Sequence, residues 1–377
     1  MTASILVVGA GVAGHALARA LAQRNLACDL IDQRTEIADQ LGLGLNLPGN
    51  AVRALAALGV ADEVRRHGAP VNRREYRNAC GRLLFATDDA RFWRGVGQPV
   101  CVRRSDLLQA LRGGSLHAAA YETQAVSVRT LHDRVEVQID GEERSRRYDF
   151  VVGADGLGSV VRSAIASGVV RPSLMTQSSW RLTGPNPGVD CWTAWSGASA
   201  TFLLIPLDHA EVYGYAARTR GLEAGHDPNW LQQAFDQFPA PVTAIIHSVL
   251  SGVGELHYSP VSEVRLPRWQ RDRLVLIGDA AHATGPVWAQ GAAMALEDAL
   301  VLADLLSRRR DWSEVGTSFE RIRRPRVDHV QAATDAMSRL ARRPGWLREF
   351  GAPVLGPRAY RKAYRPLRTD LERPAPE

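Results

Sequence analysis

Ser4–Val8 reads SILVV, a short β-branched apolar run of the kind buried on both faces in a parallel sheet. Residues 12–24 follow as an Ala- and Leu-rich helix, and Ala27–Ile31 forms a second short apolar run. Phe150–Val152 and Leu274–Ile277 repeat the pattern, each entering a glycine-rich turn and then a helix, from about Ser159 and from about Ala292. Between 171 and 264 the period changes to two. Thr201–Ile205 and Val212–Ala216 alternate apolar and polar positions, which predicts antiparallel strands with Trp180, Trp192, Trp195, Tyr213 and Tyr215 available to a pocket. Residues 73–98 are expected to add a hairpin to that sheet. Helical spacing returns over 314–343 (Val315, Phe319, Ile322, Val327, Val330, Met337, Leu340), interrupted at Pro325. The arginines between these positions read as a solvated face with snorkelling side chains. This order predicts an α/β fold with an inserted sheet and a helical C-terminus.

The turns after the three buried runs carry the candidate chemistry. Gly9-Ala10-Gly11-Val12-Ala13-Gly14 lies between strand and helix, and the second strand ends at Asp32, followed by Gln33 and Arg34. Strand, GxGxxG, helix, strand and acidic residue in this order form a dinucleotide-binding unit. Gly9 permits the tight turn, Gly11 the close approach of a pyrophosphate, and Gly14 the packing of helix on strand. The helix N-terminus offers N–H groups to phosphates, and Asp32 is placed to accept from ribose hydroxyls. Arg34 reads as a surface or adenine-stacking arginine. Asp155 and Asp279 each stand just past a strand end, where open α/β sheets bind ligands.

Composition narrows the class. The chain has 377 residues, 45% hydrophobic and 23% charged, which suits two or three globular domains and excludes wholesale disorder or coiled coil. Cys28, Cys80, Cys101 and Cys191 are scattered, so no disulfide framework or metal site is expected. Residues 5–22 lack a basic leader and hold the glycine motif, which argues against a signal peptide, and no run is long enough for a membrane span. A cytoplasmic setting follows as the expectation. Lys362 is the single lysine, and the net charge of +6 resides in 308–377, which hold 17 basic and 9 acidic residues. A basic binding protein using that end for nucleic acid or anionic lipid has no recognition motif to support it, and the segment reads as a helical cover.

Three motifs together, GAGVAG (9–14), DFVVGADGLGSVVR (149–162) and IGDAAHATGP…QGAAMALEDA (277–299), resemble the class A FAD-dependent flavoprotein monooxygenases, the aromatic hydroxylases related to p-hydroxybenzoate and salicylate hydroxylases. GLGLNLPGNAVRALAALGV (42–60), VRRSDLLQAL (102–111) and SFERIRRPRVDHVQ (318–331) add support. The resemblance implies a Rossmann-like FAD-binding domain in three pieces, about 1–72, 99–170 and 265–307. It also implies a substrate domain from 73–98 and 171–264, and a helical segment over 308–377. It implies that Asp279 binds the ribityl or pyrophosphate part of FAD. Gly291 and Ala292 would offer backbone N–H groups to the flavin, Gly44 and Leu45 would lie beside the ring, Arg104 would reach phosphate or flavin, and Val126 would lie by the adenine. Asp155 belongs to a motif the family uses for both FAD and the nicotinamide donor. Ala293 departs from the asparagine often found there, which removes one flavin hydrogen bond.

The implied reaction is hydroxylation of an aromatic or heteroaromatic small molecule with NADH or NADPH and O2, through a flavin C4a-hydroperoxide. No second complete dinucleotide fingerprint is present, so the nicotinamide would bind transiently. Arg181 is the candidate to face the flavin and orient a substrate oxygen. Pro286 and Trp288 are the candidate substrate contacts, and His282 is expected to hold structure rather than act as a base. The same fold admits an epoxidase, halogenase or reductase, although WxWxIP is absent and Trp192-Thr-Ala-Trp195 only echoes it. A monomer or homodimer is expected.

Overall fold

A computed structural model describes residues 4–36, 43–113, 118–166, 172–176, 178–219, 226–308, 311–341 and 343–371. The fully buried run Ile5–Val8 lies inside a five-stranded sheet, ordered 270–271, 274–276, 150–153, 5–8, 29–31. Every pairing is parallel except that of the edge strand Gln270–Arg271. Register sets Val8 against Gly153 and against Ile31, so the glycine turns that follow emerge on the same edge of the sheet. The helix Val12–Ala22 packs on the helix Gly291–Arg308, and each buries small residues, among them Ala13 and Ala16 on the first and Ala295 and Ala299 on the second. Small side chains allow the two axes to approach closely.

A second sheet has seven strands, ordered 255–258, 179–185, 211–218, 200–206, 192–196, 73–78, 83–88. The strands drawn from 171–264 pair antiparallel, and the hairpin 73–88 joins through one parallel pairing, Arg74 opposite Trp192. Period two divides the residues cleanly between the faces. Trp180, Leu182, Phe202, Leu204 and Ala216 point one way and bury against the helices Asn229–Phe235 and Ala240–Leu250, two elements absent from the sequence reading. Each such side chain, fully buried, contributes about 1.5–3 kcal/mol. Arg74, Tyr76, Trp192, Ala194, Leu203, Tyr213, Tyr215 and Arg181 point the other way, into a cavity. Of the five aromatics expected at a pocket, Trp180 and Trp195 therefore face the opposite core. The expected boundary between 170 and 171 lies outside the described residues.

The C-terminal part differs from expectation in two ways. Pro325 does not interrupt the helix, which runs unbroken from Val315 to Ala341. Paired arginines on either side hold it. Arg323 binds Glu297 and Asp298, Arg324 binds Glu320, and Arg326 binds Glu297. Arg323 is 1% exposed, so it is an internal counter-ion and not part of a solvated face. The last helix, Gly345–Tyr364, is more than a cover, because it forms one wall of the cavity. Val315, Phe319, Val327, Val330, Tyr360 and Tyr364 share the core of the five-stranded sheet. No described helix is long and apolar enough to cross a membrane, and no group of described side chains has the makings of a metal site.

Candidate functional site

The first glycine turn is fixed by close backbone approach. Gly9 has φ +105°, and a Cβ there would lie 2.4 Å from the Ala154 carbonyl oxygen, so only glycine lets the ends of two neighbouring strands meet. A Cβ on Gly14 would lie 1.9 Å from the Gly9 oxygen, whereas around Gly11 nothing stands within 4 Å. Gly11 faces open cavity; Gly14 and Ala10 lie behind the turn and do not line it. Ala10 instead donates its N–H to Asp32 Oδ2 at 2.7 Å. The helix Val12–Ala22 has neither a side-chain cap nor an acidic residue in its first turn, which leaves its N-terminal donors and dipole for an anionic ligand.

Asp32 is held from two sides. Arg34 donates Nε to Oδ1 at 3.0 Å and Nη2 to Oδ2 at 2.8 Å. Burial alone would raise the carboxyl pKa, but the Arg34 side chain and the Arg34 and Ala10 N–H groups outweigh it and hold it below the ordinary value. Arg34 thus clasps the expected ribose acceptor. Gln33 lines the cavity beside it.

Gly44, Leu45, Arg104, Val126, Asp155, Asp279, Gly291 and Ala292 line the same cavity, as do Arg181, Pro286 and Trp288. Gly44 is required where it is, since a Cβ would meet the Tyr213 side chain at 2.4 Å. Asp155 accepts the Val160 N–H through Oδ2 at 2.7 Å, while its Oδ1 is buried with no partner among the described residues. Burial pushes this carboxyl up, against the hydrogen bonds of Ser159 and the backbone. Asn46 Oδ1 is a second buried acceptor without a donor among the described residues. The two orphaned acceptors, together with the open space around Gly11, Gly156 and Gly158, fit a ligand rich in hydroxyl and N–H donors with a diphosphate. FAD has that composition, and these residues fit it.

The other end of the cavity is aromatic. Tyr76 stacks on Phe85 with ring centroids 4.2 Å apart and lies 5.0 Å from Trp192. Trp288, 7% exposed, closes the turn Pro286–Trp288 and meets Tyr364 edge to face at 5.5 Å. Its carbonyl accepts the Tyr364 hydroxyl at 2.7 Å. Arg181 lies on the cavity face of its strand, opposite Tyr215, with Nε buried and without a partner among the described residues. His282 does not line the cavity; its Nε2 is 2.6 Å from Asp298 Oδ2 in a buried pair. The sequence reading missed Arg74, Asn46 and the helix Gly345–Tyr364. Arg74 and Tyr76 at period two, and Tyr360 and Tyr364 one helical turn apart, were the available signals.

The whole is one cavity of about 1850 Å³. Single-ligand pockets span about 300–1,000 Å³, so this one has room for a dinucleotide and a second molecule together. A parallel sheet with glycine-aspartate turns at one edge, roofed by an inserted sheet over a shared cavity, defines a two-ligand flavoenzyme. The profile of the family described as FAD binding domain matches residues 2–334, and the chain belongs to that family. It is a class A FAD-dependent aromatic hydroxylase, a monooxygenase that uses NAD(P)H as electron donor. It is 30% identical over 354 residues to 3-hydroxybenzoate 6-hydroxylase 1 of Aquipseudomonas alcaligenes, covering 87% of this chain and 86% of that one. It is also 30% identical to 2-heptyl-3-hydroxy-4(1H)-quinolone synthase of Pseudomonas aeruginosa strain UCBPP-PA14, covering 89% of each. The solved structure of Klebsiella pneumoniae HpxO complexed with FAD and uric acid shares the fold, with a TM-score of 0.79 at 22% identity over 98% of this chain and 93% of that one.

Proposed function

We propose that the Gly9–Asp32 end of the cavity holds the adenosine and diphosphate of FAD. Gly44, Leu45, Asn46, Gly291 and Ala292 then surround the flavin, and the aromatic face of the seven-stranded sheet receives the ring to be hydroxylated. The observation that carries this reading is the continuity of the cavity, with glycine turns and the unpartnered Asp155 Oδ1 at one end and stacked aromatics at the other. Residues 1–72, 99–170 and 265–307 make up the FAD-binding part, and 73–98 with 171–264 make up the substrate part.

Bound there, FAD would supply the redox chemistry, taking its electrons from NADH or NADPH and using O2 as the source of the oxygen atom added to an electron-rich ring. The chain's own work is positional and electrostatic. Asp155 and Asp279 accept hydrogen bonds from hydroxyl groups of the cofactor. The N-terminus of the helix Gly291–Arg308, which has no acidic residue in its first turn, supports negative charge on the flavin. Trp288, Tyr213 and Tyr215 exclude water from the ring site. Arg181 would offer its Nε to an oxygen on the same cavity face, four strands from Arg74. The named relatives include one protein called after a hydroxybenzoate and one called after a quinolone, both aromatic. The four cysteines are free thiols, in keeping with a reducing cytoplasm that also supplies the nicotinamide.

The test is a panel of phenols, arenecarboxylates and oxo-heteroarenes added to the purified yellow protein with NADH or NADPH under air. At least one arene stimulates nicotinamide oxidation and yields a product heavier by one oxygen. A protein that takes up no FAD, or nicotinamide oxidation that no arene stimulates, overturns the reading.

A further inference from the structure

Arg74 is the most deeply buried cation on the substrate side of the cavity, at 1% exposure. Its strand, Arg73–Asn78, turns Arg74 and Tyr76 to the cavity and Glu75 to the opposite face, where Glu75 pairs with Arg73 and Arg77. The guanidinium sits in an aromatic box, its carbon 5.1 Å from the Trp192 ring centre, 5.4 Å from Tyr364 and 5.7 Å from Tyr360. Nε donates to Asp89 Oδ2 at 2.7 Å and Nη1 to the Tyr364 hydroxyl at 3.2 Å. Nη2 is buried and has no acceptor among the described residues. A guanidinium has five N–H donors; with one on Nε and one on Nη1 engaged, the pair on Nη2 and the second on Nη1 are left, beside the Tyr76 hydroxyl that the same guanidinium supports.

We propose that Arg74 is a specificity-determining residue that donates Nη2 to a neutral oxygen of the substrate, a ring carbonyl or phenol, and that Asp89 turns the site against arenecarboxylates. The proposal rests on the reading above, that an aromatic substrate occupies this end of the cavity.

Charge balance separates the two ligand classes. Asp89 is wholly buried and already accepts from Arg74, from Thr87 Oγ1 at 3.0 Å and from the Tyr360 hydroxyl at 2.8 Å. It neutralises Arg74 from within. A substrate carboxylate at Nη2 would bring a second anion into the same buried shell, where like charges repel most strongly. A carbonyl or phenol oxygen accepts the same N–H groups and leaves the net charge at zero. The contact also has a fixed place in the site, because Tyr364 passes from Arg74 to the Trp288 carbonyl and so ties the donor to the turn Pro286–Trp288. Arg181 does not duplicate the role: it stands four strands away in the sheet order, roughly 19 Å at the usual strand spacing.

The holoenzyme is tested with matched arene pairs that differ only in an oxo or carboxylate substituent, such as 4-quinolone and quinoline-4-carboxylate, alongside hydroxy and carboxy forms of monocyclic rings. Dissociation constants come from perturbation of the bound FAD spectrum. In the unaltered protein the oxo or hydroxy partner of each binding pair binds at least tenfold tighter. Asp89→Asn, which keeps the shape and removes the charge, shrinks or inverts that ratio by tenfold or more. Arg74→Met abolishes the preference while FAD content stays unchanged. Should Arg74→Met fail to fold, Asp89→Asn alone decides. A wild-type preference for carboxylates, or a ratio indifferent to Asp89→Asn, overturns the role of Arg74 and leaves the hydroxylase reading standing. If no arene of either class binds or stimulates nicotinamide oxidation, both fall together.

Discussion

Single atoms decide the glycine turn, and they separate two jobs that the motif hides. Gly14 exists to let helix and strand touch, since a Cβ there would stand 1.9 Å from the Gly9 oxygen. Gly11 exists to leave space that the fold does not fill. Gly14→Ala is therefore expected to lower stability by about 1–3 kcal/mol, as overpacking does, whether or not cofactor is present. Gly11→Ala keeps an allowed backbone (φ −80°) and should cost the apoprotein under about 1 kcal/mol, while weakening FAD binding tenfold or more. Thermal unfolding of the apoproteins and titration with FAD distinguish the two. Equal loss of stability in both variants would mean that Gly11 is packed and does not face a ligand.

Among the elements, the junction that matters most is polar. Asp298, wholly buried on the helix Gly291–Arg308, accepts from the Gly278 N–H at 2.9 Å and from Arg323 Nε at 2.7 Å, and lies 2.6 Å from His282 Nε2. The preceding residue, Glu297, accepts from Arg323, Arg326 and Asn50. The helices Gly49–Ala57, Asp279–His282, Gly291–Arg308 and Val315–Ala341 are thereby held in one arrangement. Burial alone would raise the Asp298 pKa, but His282, Arg323 and the Gly278 N–H hold it below the usual carboxylate value. A depressed folded-state pKa contributes stability that is fully present above the unfolded value, about 3.9, and is lost as the pH falls through the lower folded value. Asp298→Asn is expected to cost about 3–5 kcal/mol at pH 7, because Arg323 then keeps only Glu297, and to flatten the acid limb of the stability curve. Unfolding followed from pH 3 to 7 checks both, and unchanged stability at pH 7 would refute the network's importance. This network also marks what could be read from sequence and what could not. The glycine turns and buried strands were legible because their constraints are local: a tight turn or a period of two or 3.6 shows in neighbouring letters. The pairing of Arg323 with Glu297 and Asp298, or of Arg74 with Asp89 and Tyr364, was not, because a buried arginine and a solvated one are the same letter. Pro325 misled for the same reason. Its local preference breaks helices, but ion pairs with residues elsewhere in the chain hold this one.

At the scale of the molecule, the basic C-terminus and the cavity turn out to be parts of one design. Arg323 and Arg326 serve as internal counter-ions to Glu297, Arg53 reaches the carbonyls of Leu367 and Thr369, and the helix Gly345–Tyr364 brings Tyr360 to the cavity wall and Tyr364 into the shell behind it. Part of the excess charge is thus spent inside the fold. The cavity it helps to enclose is lined from the first strand, the inserted sheet and the last helix, and among the described residues it is one continuous space. On the proposed reading, the flavin must itself form one side of the substrate pocket. FAD at a hundred times its dissociation constant should stabilise the protein by about 2.7 kcal/mol through mass action alone. A substrate found in the arene panel should then raise the melting temperature of the FAD-loaded protein further, yet leave that of the stripped protein nearly unchanged, because its pocket lacks a side until the cofactor is in place. Melting curves of both forms, with and without the arene, measure this coupling. An equal rise in both would show that the substrate site is complete in the polypeptide alone, and would move it away from the junction of the two ends.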